Sequence, residues 1–479
     1  MLVKSCRKCI DSVMKTVQFD AIAVATQNGL MTEPNENDKQ SKKPSSVRHT
    51  RAIQRDRSKR QNVGPPDEKI VSDLTEIIHP ITLAEVNHYH QMGMRERVLT
   101  LPIMVALVLS MIWRQIGQVT ELVRLLRTEG LLWAEPRRVS QQALSERFRT
   151  FPAELFHHVL LAVLPMMHTN WKSRQRPLPP EIAWAQAHYT EVVVADGSTL
   201  DALLRKVGLL RDALVNPLAG RMTALLDLCS RLPLHVWYEE DAKAHDQRFW
   251  PQILEVVKAG SLLIFDLGYT NFSVYAQLTA ATVTFITRAK SNLAYQVEKS
   301  LHRTAQVHDS VVWIGKGDDR QRIRLVEVLY QGKWYRYLTN ELDPQRLPAA
   351  YVVALYWQRW RIEDAYAIVK RLLGLAYFWV GSQNGVMLQL WATWLLYTVL
   401  VDLTDAVAET LNEPFAAISL EMVYRSLYYF TTAYDRGEAV DPVAYLAENA
   451  TWLGVLKRKR KKRRPSPLEL FNLTNASSP

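Results

Sequence analysis

The chain has 479 residues, a formal net charge of +11 and only three cysteines. This length allows two or three domains with a sizeable core, and the positive charge favours a polyanionic partner. The cysteine count excludes a disulfide framework and fits a reducing compartment. Cys6 and Cys9 form a C-x-x-C motif, but no second pair follows at zinc-finger spacing, so we predict no structural zinc. No signal peptide is expected.

The N-terminal part of the chain changes from polar to helical. Residues 1–72 are rich in Lys, Arg, Ser, Asn and Gln after Met31, which predicts a basic, largely disordered tail. Apolar residues at helical spacing, such as Leu122 and Leu126, predict helices from residue 73 to about 172. The polar, Pro-rich stretch Trp171–Pro180 then predicts a linker.

Two short apolar runs are each followed by an aspartate and then a glycine. Glu191–Ser198 contains Asp196 and Gly197, and Ser261–Tyr269 contains Asp266 and Gly268. Such runs are typical of buried central strands, where an aspartate needs an ion pair, a hydrogen bond or a metal. Each glycine would let the chain turn sharply and a ligand approach the backbone. The alternative is that either aspartate caps a turn or the next element.

The segments between the two aspartates predict how they meet. Thr223–Cys229 and Leu234–Tyr238 are typical of strands, and Asp246–Lys258 of a helix that returns the chain to the second run. We therefore expect a mixed α/β sheet with Asp196 and Asp266 on neighbouring strands.

Four polar residues recur along one predicted helix further down the chain. Tyr356, Glu363 and Lys370 are seven residues apart each time, so they return to nearly the same helix face, and Arg359 lies one turn before Glu363. An acid held among cations on a helix suits a site that handles metal and phosphate. A solvated helix with an Arg–Glu pair four residues apart is the alternative.

The stretch between Asp266 and Glu363 contains alternating apolar and polar residues. Ser310–Ile314, Ile323–Tyr330 and Trp334–Leu338 are separated by turn-like, glycine-containing segments, a pattern that predicts an antiparallel insertion.

These residues together resemble a known family, the bacterial insertion-sequence transposases with the Y-x(2)-R-x(3)-E-x(6)-K signature. The matching residues are Tyr356, Arg359, Glu363 and Lys370, Asp196-Gly197-Ser198-Thr199, and Asp266-Leu267-Gly268-Tyr269. Phe285–Lys290 and Leu338–Asn340 also resemble family blocks, and the resemblance covers about residues 75–410. Leu267 departs from the family, where many relatives carry Arg, which puts in doubt any DNA contact made at that position.

The resemblance implies an α/β fold: an RNase H-like mixed-sheet core with a β-rich insertion, plus an N-terminal all-α domain. The core would span residues 188–410 and be interrupted by the insertion at 291–345. Residues 73–180 would form a helical DNA-binding domain and linker, unless they only pack on the core. Residues 411–479 would form a helical C-terminal region with a basic tail.

The resemblance also implies a chemistry. Asp196, Asp266 and Glu363 would form a DDE triad that holds two Mg²⁺ or Mn²⁺ ions for in-line phosphoryl transfer. Arg359 and Lys370 would bind DNA phosphates, and Tyr356 would donate a hydrogen bond to one. In the family, the transposon ends are nicked, the freed 3′-hydroxyl attacks, often through a DNA hairpin, and the strands are transferred into target DNA.

Further residues are candidates for DNA contact, each with a plainer alternative. Arg288 and Lys290 could end a solvated strand, His245 could start a helix, and each tryptophan could pack in a small core. The basic runs bind phosphate backbones in general, but they could equally be solvating tails or import signals. The candidates are Arg288, Lys290, Lys243, His245, Trp313, Trp334, residues 42–60, and Lys457, Arg458, Lys459 and Arg460 within the run 457–464.

The expected partners are the terminal inverted repeats and target DNA as double-stranded DNA, bound by a homodimer or higher assembly. We expect a cytoplasmic protein associated with the bacterial nucleoid. Three alternatives remain open: a metal-dependent nuclease without strand transfer, a non-catalytic DNA-binding remnant, and a membrane protein with a span at Leu372–Val401. Because Gly381–Gly385 interrupts that last stretch, we favour a core helix at Val386–Val401.

Overall fold

The computed structural model of this chain describes residues 68–94, 97–201, 218–375, 378–379, 382–458 and 468. The predicted disordered tail lies almost entirely outside these residues, as do Cys6, Cys9 and the basic stretch 42–60. Lys459 and Arg460 also lie outside them.

Within the described residues, nine strands form one mixed sheet in the order β3-β2-β1-β4-β5-β9-β8-β7-β6. The first five strands in this order have the RNase H-like arrangement, in which β2 is antiparallel to both β1 and β3, and β4 is parallel to both β1 and β5. The predicted fold class is thereby confirmed. The strands are β1 (Val192–Asp201), β2 (Leu218–Asp227), β3 (Pro233–Glu239), β4 (Leu262–Phe265), β5 (Thr284–Arg288), β6 (Tyr295–Arg303), β7 (Val307–Ile314), β8 (Gln321–Tyr330) and β9 (Lys333–Thr339).

The first aspartate lies inside its strand, which corrects the expectation that the strand ends there. Strand β1 pairs with β4 only through Val192–Ala195, but it continues to pair with β2 as far as Asp201. Asp196 therefore stands where one neighbouring strand stops and the other goes on, which leaves one side of the strand open at that residue.

The β-rich stretch after β5 continues the core sheet. Strand β9 pairs antiparallel with β5, with Ile286 opposite Thr339, and β8, β7 and β6 extend the sheet outwards. Strand β6 was not predicted, because its residues are exposed along almost the whole strand and so show no apolar alternation.

Helices cover both faces of the sheet, as the alternation along β1 requires. Val193 and Ala195 pack in a cluster with Trp250 and Ile253, whereas Val192 and Val194 belong to the larger core on the other face. The helices are α1 (Glu68–Ala84), α2 (Val86–Gln91), α3 (Leu101–Trp113), α4 (Val119–Thr128), α5 (Gln141–Thr150), α6 (Glu154–Ser173), α7 (Pro180–His188), α8 (Trp250–Val256), α9 (Phe272–Ala280), α10 (Ala349–Gln358), α11 (Trp360–Ala367), α12 (Gln383–Thr410), α13 (Leu420–Asp435) and α14 (Pro442–Glu448).

The predicted linker is short and fixed to the core. Helix α6 ends at Ser173, and the segment up to α7 is held by ion pairs from Arg174 and Arg176 to Asp405 on α12. The N-terminal residues that the structure describes are helical, as predicted. Whether residues 73–180 form a separate DNA-binding domain stays a prediction.

The helix that carries the four-residue signature is not one regular α-helix, which corrects the single-face expectation. Helix α10 ends at Gln358, and the backbone N–H of Arg359 bonds to the Tyr356 carbonyl three residues back, at 3.0 Å. Helix α11 then begins at Trp360, and the turn Ile368–Leu372 is a π-helix. The irregular turns change the angle between signature residues, so the seven-residue spacing alone did not fix their directions.

Helix α12 is long and apolar enough to cross a membrane by length and composition, but 78% of its most apolar window is buried inside the protein. This burial favours the predicted core helix. Its limits differ from the prediction, because Ser382 caps the helix by accepting a bond from the Gly385 N–H at 3.2 Å, which places the predicted break within its first turn. Helices α5 and α6, taken together as one span bent by 70°, are also long and apolar enough to cross a membrane.

Candidate active site

Asp196 and Asp266 lie side by side at the edge of the central strands. Ala195 on β1 is in register with Phe265 on β4, so the next residue on each parallel strand is one of the two acids. Tyr366 fixes the backbone there, since its hydroxyl donates to the Asp196 carbonyl at 2.6 Å and accepts from the Ala224 N–H at 3.1 Å. The sequence-predicted adjacency of the two acids thus has a direct cause in strand register.

Arg359 joins the helix to the sheet by binding two carboxylates at once. Its Nη1 lies 3.0 Å from Asp196 Oδ2, and its Nη2 lies 2.9 Å from Glu363 Oε1. The arginine side chain is 7% exposed and that of Glu363 is 40% exposed. The guanidinium therefore separates a buried acid on the sheet from an acid that faces outwards on α11.

The other two signature residues contact the same strands. The Tyr356 hydroxyl donates to Asp266 Oδ1 at 3.1 Å, and Lys370 Nζ donates to Ser198 Oγ at 2.6 Å. Burial and the neighbouring Asp266 raise the pKa of Tyr356 well above its usual range, so its hydroxyl keeps the proton that it donates. Tyr356, Arg359 and Lys370 thus contact the two chain segments that carry the aspartates, whereas Glu363 is connected to them through Arg359.

The carboxyl group of Asp196 has a raised pKa. Burial raises the pKa of Asp196 from 3.8 to about 7, with Asp266 and Asp246 adding to the rise, while Arg359 and the Gly197 N–H oppose it. The ion pair with Arg359 therefore does not fully offset the cost of burying this carboxylate. Additional positive charge would be stabilised at this place.

The two glycines do not serve the role expected from the sequence. Gly197 and Gly268 are absent from the described residues with positive φ, so neither makes a turn that only glycine could make. Instead, a Cβ on either glycine would collide with the carboxylate of Asp246. The close approach that was predicted for a ligand is thus made by a side chain of the protein itself.

Three carboxylates offer the oxygen donors that Mg²⁺ and Mn²⁺ prefer. In the part of the chain that the structure describes, however, no three Asp, Glu, His or Cys side chains are grouped closely enough to hold one ion. The guanidinium of Arg359 stands between Asp196 and Glu363. The donor chemistry thus fits divalent ions, and Arg359 supplies the cation that bridges two of the three acids.

Two further basic candidates lie at the end of β5. Arg288 is exposed, and its guanidinium lies 5.9 Å from the centre of the Tyr335 ring. Arg288 is in register with Tyr337 on β9, and the Tyr337 ring centre lies 5.2 Å from that of Tyr356, so Arg288 lies close to the site. Lys290 is exposed in the following loop.

The remaining candidates are not brought to the acids by any contact among the described residues. Lys243 and His245 are exposed in the loop before α8, and Lys457 bonds through Nζ to the Ala416 carbonyl at 3.0 Å. Trp313 is half-buried beneath Arg320, with 4.8 Å from guanidinium to ring centre. The others are Trp334, which is 41% exposed and packed on His308, and Arg458, which is exposed.

Four residues beside the acids were not found from the sequence. Tyr366 and Arg221 belong to no sequence motif, and Asp246 was predicted only as the first residue of a helix. Trp360 follows Arg359 directly and is 61% exposed, with its ring centre 5.5 Å from that guanidinium. The glycine that follows each of the two aspartates was the one sequence signal of a close approach, and it did not identify Asp246 as the residue that approaches.

Part of the chain is similar to a known protein family. Residues 219–399 match the model of the transposase DDE domain. The range includes Asp266, Glu363 and Lys370, whereas Asp196 lies upstream of it. This part of the chain is therefore similar to a transposase DDE domain. The four-residue signature is not tested by this match and stays a prediction.

Two curated relatives are distant homologues. A protein of Sinorhizobium fredii named as a transposase is 30% identical over 171 residues, which are 33% of this chain and 47% of the relative. A protein of Geobacillus stearothermophilus named as the transposase of an insertion sequence element is 25% identical over 173 residues, 34% of this chain and 45% of the relative. The chain thus spans about half the length of the curated relatives it matches.

Among solved structures, the cryo-EM structure of the piggyBac transposase synaptic complex with hairpin DNA aligns with 85% of this chain and 87% of that chain. The identity is 11% and the TM-score is 0.37. A TM-score of this size says nothing about the activity or the partners of this chain.

Proposed function

We propose that this protein is a transposase that moves an insertion sequence by cut-and-paste DNA transposition. The observation that supports it most is the convergence of Asp196, Asp266 and Glu363. They come from three separate parts of the chain, and Arg359 and Tyr356 connect them. The match of residues 219–399 to the transposase DDE domain supports the same reaction class.

The three acids would hold two Mg²⁺ or Mn²⁺ ions. Such ions would supply Lewis-acid activation of the attacking water or 3′-hydroxyl and stabilisation of the leaving oxygen of the phosphodiester. Arg359 already binds one oxygen each of Asp196 and Glu363, so it would have to give up one of these bonds if the ions took both carboxylates completely. We propose that the released guanidinium then binds a DNA phosphate beside the cleaved bond.

Lys370 and Tyr356 complete the phosphate-binding side of the site. Both point at the strands that carry the acids, and the raised pKa of Tyr356 keeps it a hydrogen-bond donor. Arg288 and Lys290 would extend the basic surface along the end of β5. The basic run from Lys457 would add contacts to the DNA backbone that do not depend on sequence.

The partners we propose are the terminal repeats of the element and its target DNA, both double-stranded. Joining two ends requires a dimer or a higher assembly. In a bacterial cell such a protein would work in the cytoplasm, on the nucleoid.

The test is a cleavage and strand-transfer assay on a labelled plasmid that carries the element's own ends. Wild type and Glu363→Gln are compared in Mg²⁺, Mn²⁺ and EDTA, and denaturing gels separate nicked, hairpin and joined products. We expect metal-dependent end cleavage and joining by the wild type only. Cleavage without joining would instead indicate a nuclease. DNA binding without cleavage in any metal would indicate a non-catalytic remnant.

A further inference from the structure

Asp246 occupies space that two glycines leave open. A Cβ on Gly268 would lie 2.6 Å from Asp246 Oδ2, and a Cβ on Gly197 would lie still closer to Asp246 Oδ1. Real Cβ atoms do not approach oxygen so closely, so any other residue at either position would have to displace this carboxylate. Gly197 immediately follows Asp196, and Gly268 lies two residues after Asp266.

Arg221 holds the Asp246 carboxylate in that space. Its Nε donates to Asp246 Oδ1 at 3.0 Å, and its Nη2 donates to the same oxygen. The two side chains are 17% and 18% exposed, so the pair is largely shielded from water. Arg221 lies on β2 opposite Thr199 of β1, and Asp246 begins the short 3₁₀ turn after β3.

The pair therefore spans three elements at the open edge of the sheet. It starts on β2, passes the backbone of β1 at Gly197 and reaches the turn after β4 at Gly268. These are the two backbone segments that carry Asp196 and Asp266. A carboxylate wedged against both would fix how far apart the two acids lie.

We infer that Asp246 and Arg221 are positioning residues that set the separation of Asp196 and Asp266 for metal binding. This inference rests on the proposed function, because the separation matters only if the acids bind ions together. Asp246 acts through the two backbones: its Oδ1 accepts both bonds from Arg221 and packs against Gly197, and its Oδ2 packs against Gly268. Groups that orient metal-binding side chains in this way commonly change metal affinity 10- to 100-fold when they are removed.

The test measures Mn²⁺ binding to the full-length protein by electron paramagnetic resonance of the free ion. The half-saturating Mn²⁺ concentration for end cleavage is measured alongside. The variants are Asp246→Ala, Asp246→Asn, Gly268→Ala and the double variant Gly268→Ala with Asp246→Ala. Glu239→Gln serves as the control, because Glu239 pairs with Arg248 in the same stretch, at 3.4 Å, on the outside of the protein.

We expect Asp246→Ala and Gly268→Ala each to weaken Mn²⁺ binding about tenfold and to raise the half-saturating concentration equally. The double variant should be no weaker than Asp246→Ala alone, because the added methyl group then has room. Asp246→Asn keeps the shape and an acceptor oxygen, so it should stay within about threefold of wild type, as should Glu239→Gln.

Two results would overturn the inference: Mn²⁺ affinity unchanged in Asp246→Ala, or additive losses in the double variant. Equal losses in Asp246→Asn and Asp246→Ala would also do so, since they would show that charge and not position matters. If the wild type neither binds Mn²⁺ nor cleaves DNA, the proposed function fails and the inference falls with it, which is distinct from a failure confined to the variants.

Discussion

Two arginine–aspartate pairs in this protein differ in how completely their polar atoms are satisfied. Arg324 and Asp309, on β8 and β7, form two parallel bonds of 2.8 and 2.6 Å, and a third bond of 2.6 Å runs from Arg324 to the Leu347 carbonyl. Arg359, by contrast, divides its bonds between Asp196 and Glu363, and its buried Nε has no hydrogen-bond partner among the described residues.

The difference separates a structural pair from the pair at the candidate site. Arg324 and Asp309 are 0% and 2% exposed and compensate each other, so neither has a group to offer a ligand. At the other pair, burial raises the pKa of Asp196 to about 7, and the negative charges of Asp266 and Asp246 add to the rise. A buried cluster with more acid than base is poised for a cation, whereas a matched pair holds strands together.

The largest expected effect is on catalysis. Asp196→Asn should reduce end cleavage about ten-thousandfold, equivalent to about 5 kcal/mol of transition-state stabilisation. Its free energy of unfolding at pH 8 should hold or rise, because the replaced carboxylate ionises unfavourably in the fold. The measurements are single-turnover cleavage and urea unfolding. Retained cleavage would remove Asp196 from the triad.

At the Arg324–Asp309 pair, replacing the aspartate should lower the free energy of unfolding, which the Asp196→Asn change should not do. Asp309→Ala leaves Arg324 charged and buried without its partner, which typically costs about 3–5 kcal/mol of unfolding free energy. Arg425→Ala, at an exposed pair with Glu421 on α13, should cost less than about 0.5 kcal/mol and serves as the control. Urea unfolding measures both. Equal losses at the two sites would show that burial does not distinguish them.

The sequence could predict the position of the acids, but not all of the side chains around them. Apolar runs locate β1 and β4, and their parallel register alone brings Asp196 next to Asp266. Asp246 reaches the site through a long-range ion pair with Arg221, and nothing local in the sequence marks such a partner. The fold shows the same limit, because β6 is exposed and carries no periodic signal.

In the signature helix, the residue spacing predicts which side chains reach the site, but it does not predict the backbone geometry that directs them there. Tyr356 and Lys370 do reach the strands that carry the acids, as their spacing predicts. The break at Arg359 and the π-turn at Ile368–Leu372 are not marked in the sequence, since no Pro or Gly lies between Arg359 and Leu372.

Asp196 should make the free energy of unfolding depend on pH. Asp196 keeps its proton up to about pH 7 in the folded protein but loses it near pH 4 when unfolded. The unfolded state therefore binds fewer protons between these values, and stability falls as pH rises through that window, by up to about 4 kcal/mol. In EDTA, Asp196→Asn should flatten this fall. Unfolding at pH 4.5 and pH 7.5 measures the difference, and an unchanged slope would contradict the argument.

The smallest effect concerns the arginine that bridges the acids. Arg359→Gln removes a cation that competes with metal ions for Asp196 and Glu363, so Mn²⁺ should bind the DNA-free variant about tenfold more tightly, or about 1.4 kcal/mol. Cleavage should nevertheless fall, because the same guanidinium is proposed to bind DNA phosphate once it is released. Mn²⁺ binding is measured by electron paramagnetic resonance, with Arg425→Gln as the control. Tighter binding with weaker cleavage would show that one side chain serves the acids before DNA binds and the phosphate afterwards. Weaker Mn²⁺ binding would mean that Arg359 organises the carboxylates for the metal, in the way that Arg324 organises Asp309.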